Sequence, residues 1–174
     1  MTVSFVVIAY NEQRSIERTV RAILAQNGLE EFEIIVVNDG SRDQTLEIVQ
    51  RLGVEDSHIR VIDQPNKGRG AARAAGVAAA KGGYIAFVDA DIVLPADWLT
   101  RCLPYLKDQG YDACAGTALP DGDVSFVHRI TEMEPKLAAQ TTTVTGSNGL
   151  FKRSVFDKVS YDASKRNGED VALG

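Results

Sequence analysis

Cysteine and histidine are nearly absent from this sequence. Two cysteines in 174 residues, Cys102 and Cys114, cannot build a disulfide framework. Both stand in apolar surroundings and read as small buried residues. His58 and His128 have no partner at ligand or triad spacing and read as surface or packed side chains. No apolar run reaches the length of a membrane span, and MTVSFVVIAYNEQR at the N-terminus has no basic leader region. A cytoplasmic protein is therefore expected, with any contact at the cytoplasmic membrane face made through sequence not present here. Basic charge is also short. A net charge of -5 supplies no field to draw the chain to nucleic acid, although a few local residues suffice for a phosphate site. The Walker pattern GxxxxGK[ST] is missing. No repeat, low-complexity segment or linker appears, so a single domain over 1–174 is expected. GEDVALG stops as an apolar pattern begins, which leaves open a truncation at the C-terminus.

What is present is ordinary for a globular domain: 44% hydrophobic and 25% charged residues. Val3 to Ala9 is short, β-branched and apolar on both faces, as suits a buried strand. Asn11 then opens a helix, with Ile16, Val20, Ile23 and Leu24 at helical spacing, and Asn27-Gly28 ends it. Phe32 to Val37 is a second strand. Ser41 to Gln44 has the form of a capping box ahead of a second helix. Ile59 to Ile62 is a third strand, Gly70 to Lys81 a third helix and Tyr84 to Val88 a fourth strand. Pro95 suits the first position of a fourth helix. Beyond Asp112 we expect a strand over 113–116, a helix over 127–139, and strand, turn, strand over 143–152. Four strand–helix alternations predict an α/β fold: a Rossmann-like, mostly parallel sheet with helices on both faces.

In such a sheet ligands bind at the carboxyl ends of the strands, and the polar residues collect there. The first strand ends in Ala9-Tyr10-Asn11-Glu12, the second in Asn38-Asp39-Gly40-Ser41. The third leads to Asn66-Lys67-Gly68-Arg69-Gly70 and the fourth ends in Asp89-Ala90-Asp91. The second group would also serve as a turn and N-cap, and the third as a flexible loop. Asp89 and Asp91 resist a purely structural reading. Alternation puts both on one side, where their charges repel unless a cation such as Mg²⁺ or Mn²⁺ neutralises them. Lys67, Arg69 and Arg73 lie where a glycine-rich loop enters a helix N-terminus, a place that favours anions. Acidic ligands facing a basic loop point to a metal-bound nucleoside diphosphate, with Asp39 free to accept hydrogen bonds from a base or ribose.

At this point the sequence resembles a known family. "FVVIAYNE", "IIVVNDGSRDQT", "NKGRGAARAAG", "GGYIAFVDADIVLPADWL", "TGSNGLFKRSVF" and "GED" follow the order and spacing of the family 2 glycosyltransferases, inverting enzymes of the GT-A fold. The resemblance implies that Ala9, Tyr10, Asn11 and Glu12 line the base and ribose pocket, that Asp39 binds the base, and that Lys67, Gly68 and Arg73 border the nucleotide. It implies ribose or metal binding for Asp89, with Ala90 beside it, and metal binding for Asp91. Gly146, Ser147, Asn148, Gly149 and Glu169 would serve the donor sugar and acceptor, and Asp170 would be the general base. The implied partners are a nucleotide-sugar donor, UDP-linked by family habit, and a saccharide or lipid-linked acceptor. Ala74 stands where the family commonly has Asn, and no Q-x-x-R-W motif follows Asp170. Two alternatives remain: a nucleotidyltransferase that makes nucleotide sugars, and a non-catalytic fragment that binds them. Against the first, Tyr10-Asn11-Glu12 replaces the glycine-rich loop such an enzyme needs after its first strand.

Overall fold

The computed structural model describes residues 2–115 and 148–158. Strands β1 (Thr2–Ala9), β2 (Glu31–Asp39), β3 (Ile59–Gln64) and β4 (Tyr84–Asp89) alternate with helices α1 (Ile16–Leu24), α2 (Thr45–Glu55) and α3 (Arg69–Ala79). Helix α4 (Trp98–Lys107) and the short strands β5 (Ala113–Ala115) and β6 (Asn148–Lys152) follow. The six strands lie in the order β3-β2-β1-β4-β6-β5. The first four are parallel, and β6 runs antiparallel to both β4 and β5. The expected α/β sheet is thus present, with one reversed strand near its edge.

Period-two alternation explains why both faces are covered. Val3, Phe5, Val7 and Ala9 of β1 face one core, shared with Ile34 and Val36 of β2 and Ala86 and Val88 of β4. Ile16, Val20 and Ile23 of α1, Val49 and Leu52 of α2, and Trp98 and Leu99 of α4 close that side. The intervening residues Val6, Ile35, Val37, Ile85 and Phe87 face the opposite core, against α3. There the helix comes very close: a Cβ on Gly76 would lie 2.2 Å from Cγ1 of Val6. The alanine-rich sequence of α3 permits this approach.

Three expected boundaries fail for one reason, hydrogen bonds made between loops. Asn11 does not open a helix. It adopts φ +59° in the turn before α1, and its Oδ1 accepts the N–H of Arg42 at 2.8 Å. Ser41 to Gln44 is not a capping box. Ser41 Oγ accepts the N–H of Asn11 at 3.0 Å, and α2 begins at Thr45 with no side-chain bond from its N-cap. Pro95 precedes α4 instead of beginning it, and its carbonyl accepts the N–H of Trp98 at 3.0 Å. Gln26 supplies the missing cap from a distance: its Oε1 accepts the N–H of Leu99 at 3.0 Å, and its Nε2 donates to the Pro95 carbonyl at 2.6 Å. The expected helix over 127–139 and the first half of the 143–152 hairpin lie outside the described residues.

Candidate functional site

The sheet changes direction between β1 and β4. From β1 the chain proceeds through β2 to β3 on one side, and β4 lies on the other. A crevice at the carboxyl ends of these two strands follows from that topology. It is occupied by a cavity of about 380 Å³. Ala9, Tyr10 and Glu12 reach it from the end of β1, and Asp39 from the end of β2. Gly68 arrives just ahead of α3, and Asp89, Ala90 and Asp91 from the end of β4. Asn66, Arg69, Ala72 and Ile8 also line it. The first two belong to the basic loop that the sequence already marks as an anion site. Ala72 and Ile8 are apolar walls with no sequence signal.

The carboxylate pair is built from two directions. Strand β4 ends at Asp89, so Asp91 reaches the cavity through a turn and not by strand alternation. Ile92 N–H closes that turn on the Asp89 carbonyl at 3.0 Å. The buried hydroxyl of Thr19, on α1, donates to the Ala90 carbonyl at 2.8 Å and fixes the peptide between the two acids. From the other face Arg73 of α3, 4% exposed, places Nη2 3.4 Å from Asp89 Oδ1. Burial pushes the Asp89 carboxyl above the ordinary carboxylate range; the Arg73 charge opposes this and the Asp91 charge adds to it.

Asp39 organises the glycine loop. Its Oδ1 accepts Gln64 Nε2 at 2.7 Å and the Lys67 N–H at 2.9 Å, and its Oδ2 accepts the Gly68 N–H at 2.8 Å. Gly68 can present that N–H because its φ of +93° is open to glycine. Lys67 and Asn11 are not among the cavity-lining residues, and Arg73 acts on the cavity through Asp89. The loop after β1 is locked to the loop after β2 by further bonds, Glu12 N–H to Thr45 Oγ1 at 2.8 Å and Gln13 N–H to Asp43 Oδ2 at 3.2 Å.

Asn148 begins β6 directly opposite Val88, one residue before Asp89, and Gly149 lies opposite Phe87. The Asn148 side chain is fully buried, and neither its Oδ1 nor its Nδ2 has a hydrogen-bond partner among the described residues. Such a group costs about 1–3 kcal/mol unless something pairs with it. Gly146, Ser147, Glu169 and Asp170 lie outside the described residues. The two cysteines fulfil the structural expectation: both are free and buried, Cys102 on α4 and Cys114 on β5.

Comparison with known proteins agrees with this architecture. The family model "Glycosyl transferase family 2" matches residues 4–160. Poly-beta-1,6-N-acetyl-D-glucosamine synthase of Staphylococcus aureus is 29% identical over 183 residues, covering 98% of this chain and 44% of that protein. Glycosyltransferase AglD of Haloferax volcanii is 31% identical over 184 residues, covering 97% of this chain and 28% of that protein. The chain therefore spans less than half the length of these curated relatives. Among solved structures, S. aureus TarS 1-349 in complex with UDP superposes with a TM-score of 0.79 at 20% identity, covering 98% of this chain and 53% of that one. The mannosyltransferase PcManGT from Pyrobaculum calidifontis, in complex with GDP-Man and Mn²⁺, gives 0.77 at 22% identity, covering 98% and 49%. These likenesses establish the GT-A fold.

Proposed function

The chain belongs to glycosyl transferase family 2, and from that premise we propose that it transfers a sugar from a nucleoside-diphosphate sugar to a hydroxyl acceptor. The transfer inverts the anomeric carbon and uses Mg²⁺ or Mn²⁺. One observation carries the reading: the β1/β4 crevice gathers the carboxylate pair Asp89 and Asp91, two further acids, Glu12 and Asp39, an arginine at a helix N-terminus and a 44% exposed aromatic ring, Tyr10, around one cavity. Membership of this family sets aside the nucleotidyltransferase alternative.

Asp89 and Asp91 fit a hard cation. Both line the same cavity, and burial with mutual repulsion makes a charged Asp89 costly even with Arg73 beside it, which a cation would relieve. Among the described residues no third His, Cys, Asp or Glu joins them, so diphosphate oxygens and water would complete the shell. When bound, the cation would offset the charge that grows on the leaving diphosphate. The chain's own residues do the rest. Tyr10 lays its ring against the base, Asp39 accepts a hydrogen bond from it, and Arg69 meets phosphate charge at the start of α3. Asn148, whose amide has no partner among the described residues, serves the donor sugar and acceptor together with Gly146, Ser147, Gly149 and Glu169. Asp170 takes the acceptor hydroxyl's proton on the face opposite the leaving group, a role worth ~10²–10⁴-fold in rate. The acceptor is a saccharide or lipid-linked glycan on the cytoplasmic side, and residues 1–174 act as one domain. The structural neighbours with UDP or GDP-Man bound support the donor class. No helix among the described residues is long and apolar enough to cross a membrane.

Calorimetric titration with UDP, GDP and dTDP, each with Mn²⁺ and again with chelator, tests the site. Metal-dependent binding of one nucleotide is expected, and Asp91→Ala should weaken it at least about tenfold while leaving the metal-free remainder. Equal affinity with and without Mn²⁺ would remove the metal from the scheme. A second reading is a domain that binds nucleotide sugar without turning it over. Release of free nucleotide from the cognate sugar nucleotide decides between the two, and the anomeric configuration of the product reports inversion.

A further inference from the structure

We propose that Gln64 is a specificity-determining residue for the nucleobase: by filling one acceptor site of Asp39, it leaves that carboxylate able to take one N–H from a ligand and not two. The inference rests on the nucleotide reading above. An ionised carboxylate offers about four acceptor sites, two on each oxygen. Oδ1 of Asp39 is saturated by Gln64 Nε2 at 2.7 Å and Lys67 N–H at 2.9 Å. Oδ2 holds the Gly68 N–H at 2.8 Å and has one site left. Asp39 lines the cavity and is only 5% exposed, so water does not readily make up a missing bond there.

Nucleobases differ in what they offer such a group. Guanine presents two adjacent donors, N1–H and N2–H, which match the two oxygens of one open carboxylate. Uracil and thymine present a single N3–H between two carbonyls. With Oδ1 closed, guanine keeps one donor without an acceptor, a penalty that a one-donor base avoids. The fold does not make this choice, since structural neighbours hold both UDP and GDP-Man. Two of the three donors on Asp39 are backbone N–H groups. Gln64 is the side-chain donor, at the last residue of β3 and directly opposite Asp39 in the strand register. It is therefore the position at which substitution would change the acceptor count.

The test measures UDP and GDP affinities with Mn²⁺ on the intact chain, on Gln64→Ala and on Gln64→Lys, which keeps a donor within reach of Asp39. The wild type should favour UDP over GDP by about tenfold or more. Gln64→Ala should bring the ratio toward one by improving GDP, and Gln64→Lys should hold it. A residue that merely braces the loop would weaken both nucleotides together and leave the ratio unchanged; that result overturns the proposal, as does a wild-type ratio near one. If the wild type binds neither nucleotide, the nucleotide reading fails and this inference fails with it.

Discussion

Glu33 shows how single residues near the strand starts hold this sheet together while the carboxyl ends stay free for chemistry. It lies mostly buried at the opposite end of β2 from Asp39. Burial alone would raise its carboxyl, but the Lys81 N–H, the Ser4 hydroxyl and Arg60 outweigh that and bring it below its ordinary value of 4.5. The distances are 2.6, 2.7 and 2.8 Å. A carboxyl lowered by folding stabilises the native state at pH above its unfolded value. That contribution fades as pH falls through the lowered native value. Glu33→Gln should therefore cost about 1–2 kcal/mol at pH 7, with the gap to wild type closing in acid. Urea midpoints at neutral pH and near about pH 3 measure it. A gap that stays constant with pH would mean that the charge of Glu33 contributes nothing. The same scale explains what sequence could and could not reveal. Asp39, Asp89 and Asp91 stand out because carboxylates at strand ends need a reason. That Asp39 spends three acceptor sites on its own protein was invisible, because Gln64, Lys67 and Gly68 lie far along the chain and meet it only through strand pairing.

Elements were legible wherever burial is two-sided. The runs VSFVVIA and YIAFV read as strands, and the structure extends each by one residue and buries both faces. The starts of α1, α2 and α4 were not legible. Asn11 and Ser41 look like local punctuation, yet each bonds to a segment well away in sequence, and the cap of α4 comes from Gln26, which no local signal marks. Capping rules assume a local partner, and here a neighbouring loop supplies it. The seat of α3 is the most sensitive of these contacts. Replacing Gly76 by alanine in an isolated helix would gain about 1 kcal/mol. Here the new Cβ would fall 2.2 Å from Val6 Cγ1, and overpacking of that kind costs about 1–3 kcal/mol. The clash should win, so Gly76→Ala is expected to lower the urea midpoint. Val6→Ala in the same chain should recover part of the loss through a favourable coupling. Because α3 carries Arg69 to the cavity and Arg73 to Asp89, nucleotide affinity should fall with the single substitution and partly return with the double. Additive losses would mean that helix and strand do not meet as described.

At the scale of the whole molecule, the site and the fold share one set of contacts, so ligand and stability should be linked. The cavity is bounded by the ends of β1, β2 and β4 and the start of α3, elements that also carry both cores. A nucleotide that binds there stabilises only the folded chain. At a free concentration of 100 times Kd the gain is about 2.7 kcal/mol, or a rise in Tm of roughly 5–10 °C for a chain of this size. If residues 1–174 form one domain, heating should give a single transition that moves as a unit when UDP and Mn²⁺ are added. If Asp89 and Asp91 hold the diphosphate through a cation, as proposed, chelator should reverse most of the shift. Scanning calorimetry of the free chain, with UDP and Mn²⁺, and with UDP and chelator would separate the possibilities. Two transitions, only one of them ligand-sensitive, would break the single-domain assignment. A full shift that survives chelator would instead place the diphosphate on Arg69 and the α3 N-terminus, leaving the two carboxylates to some other task.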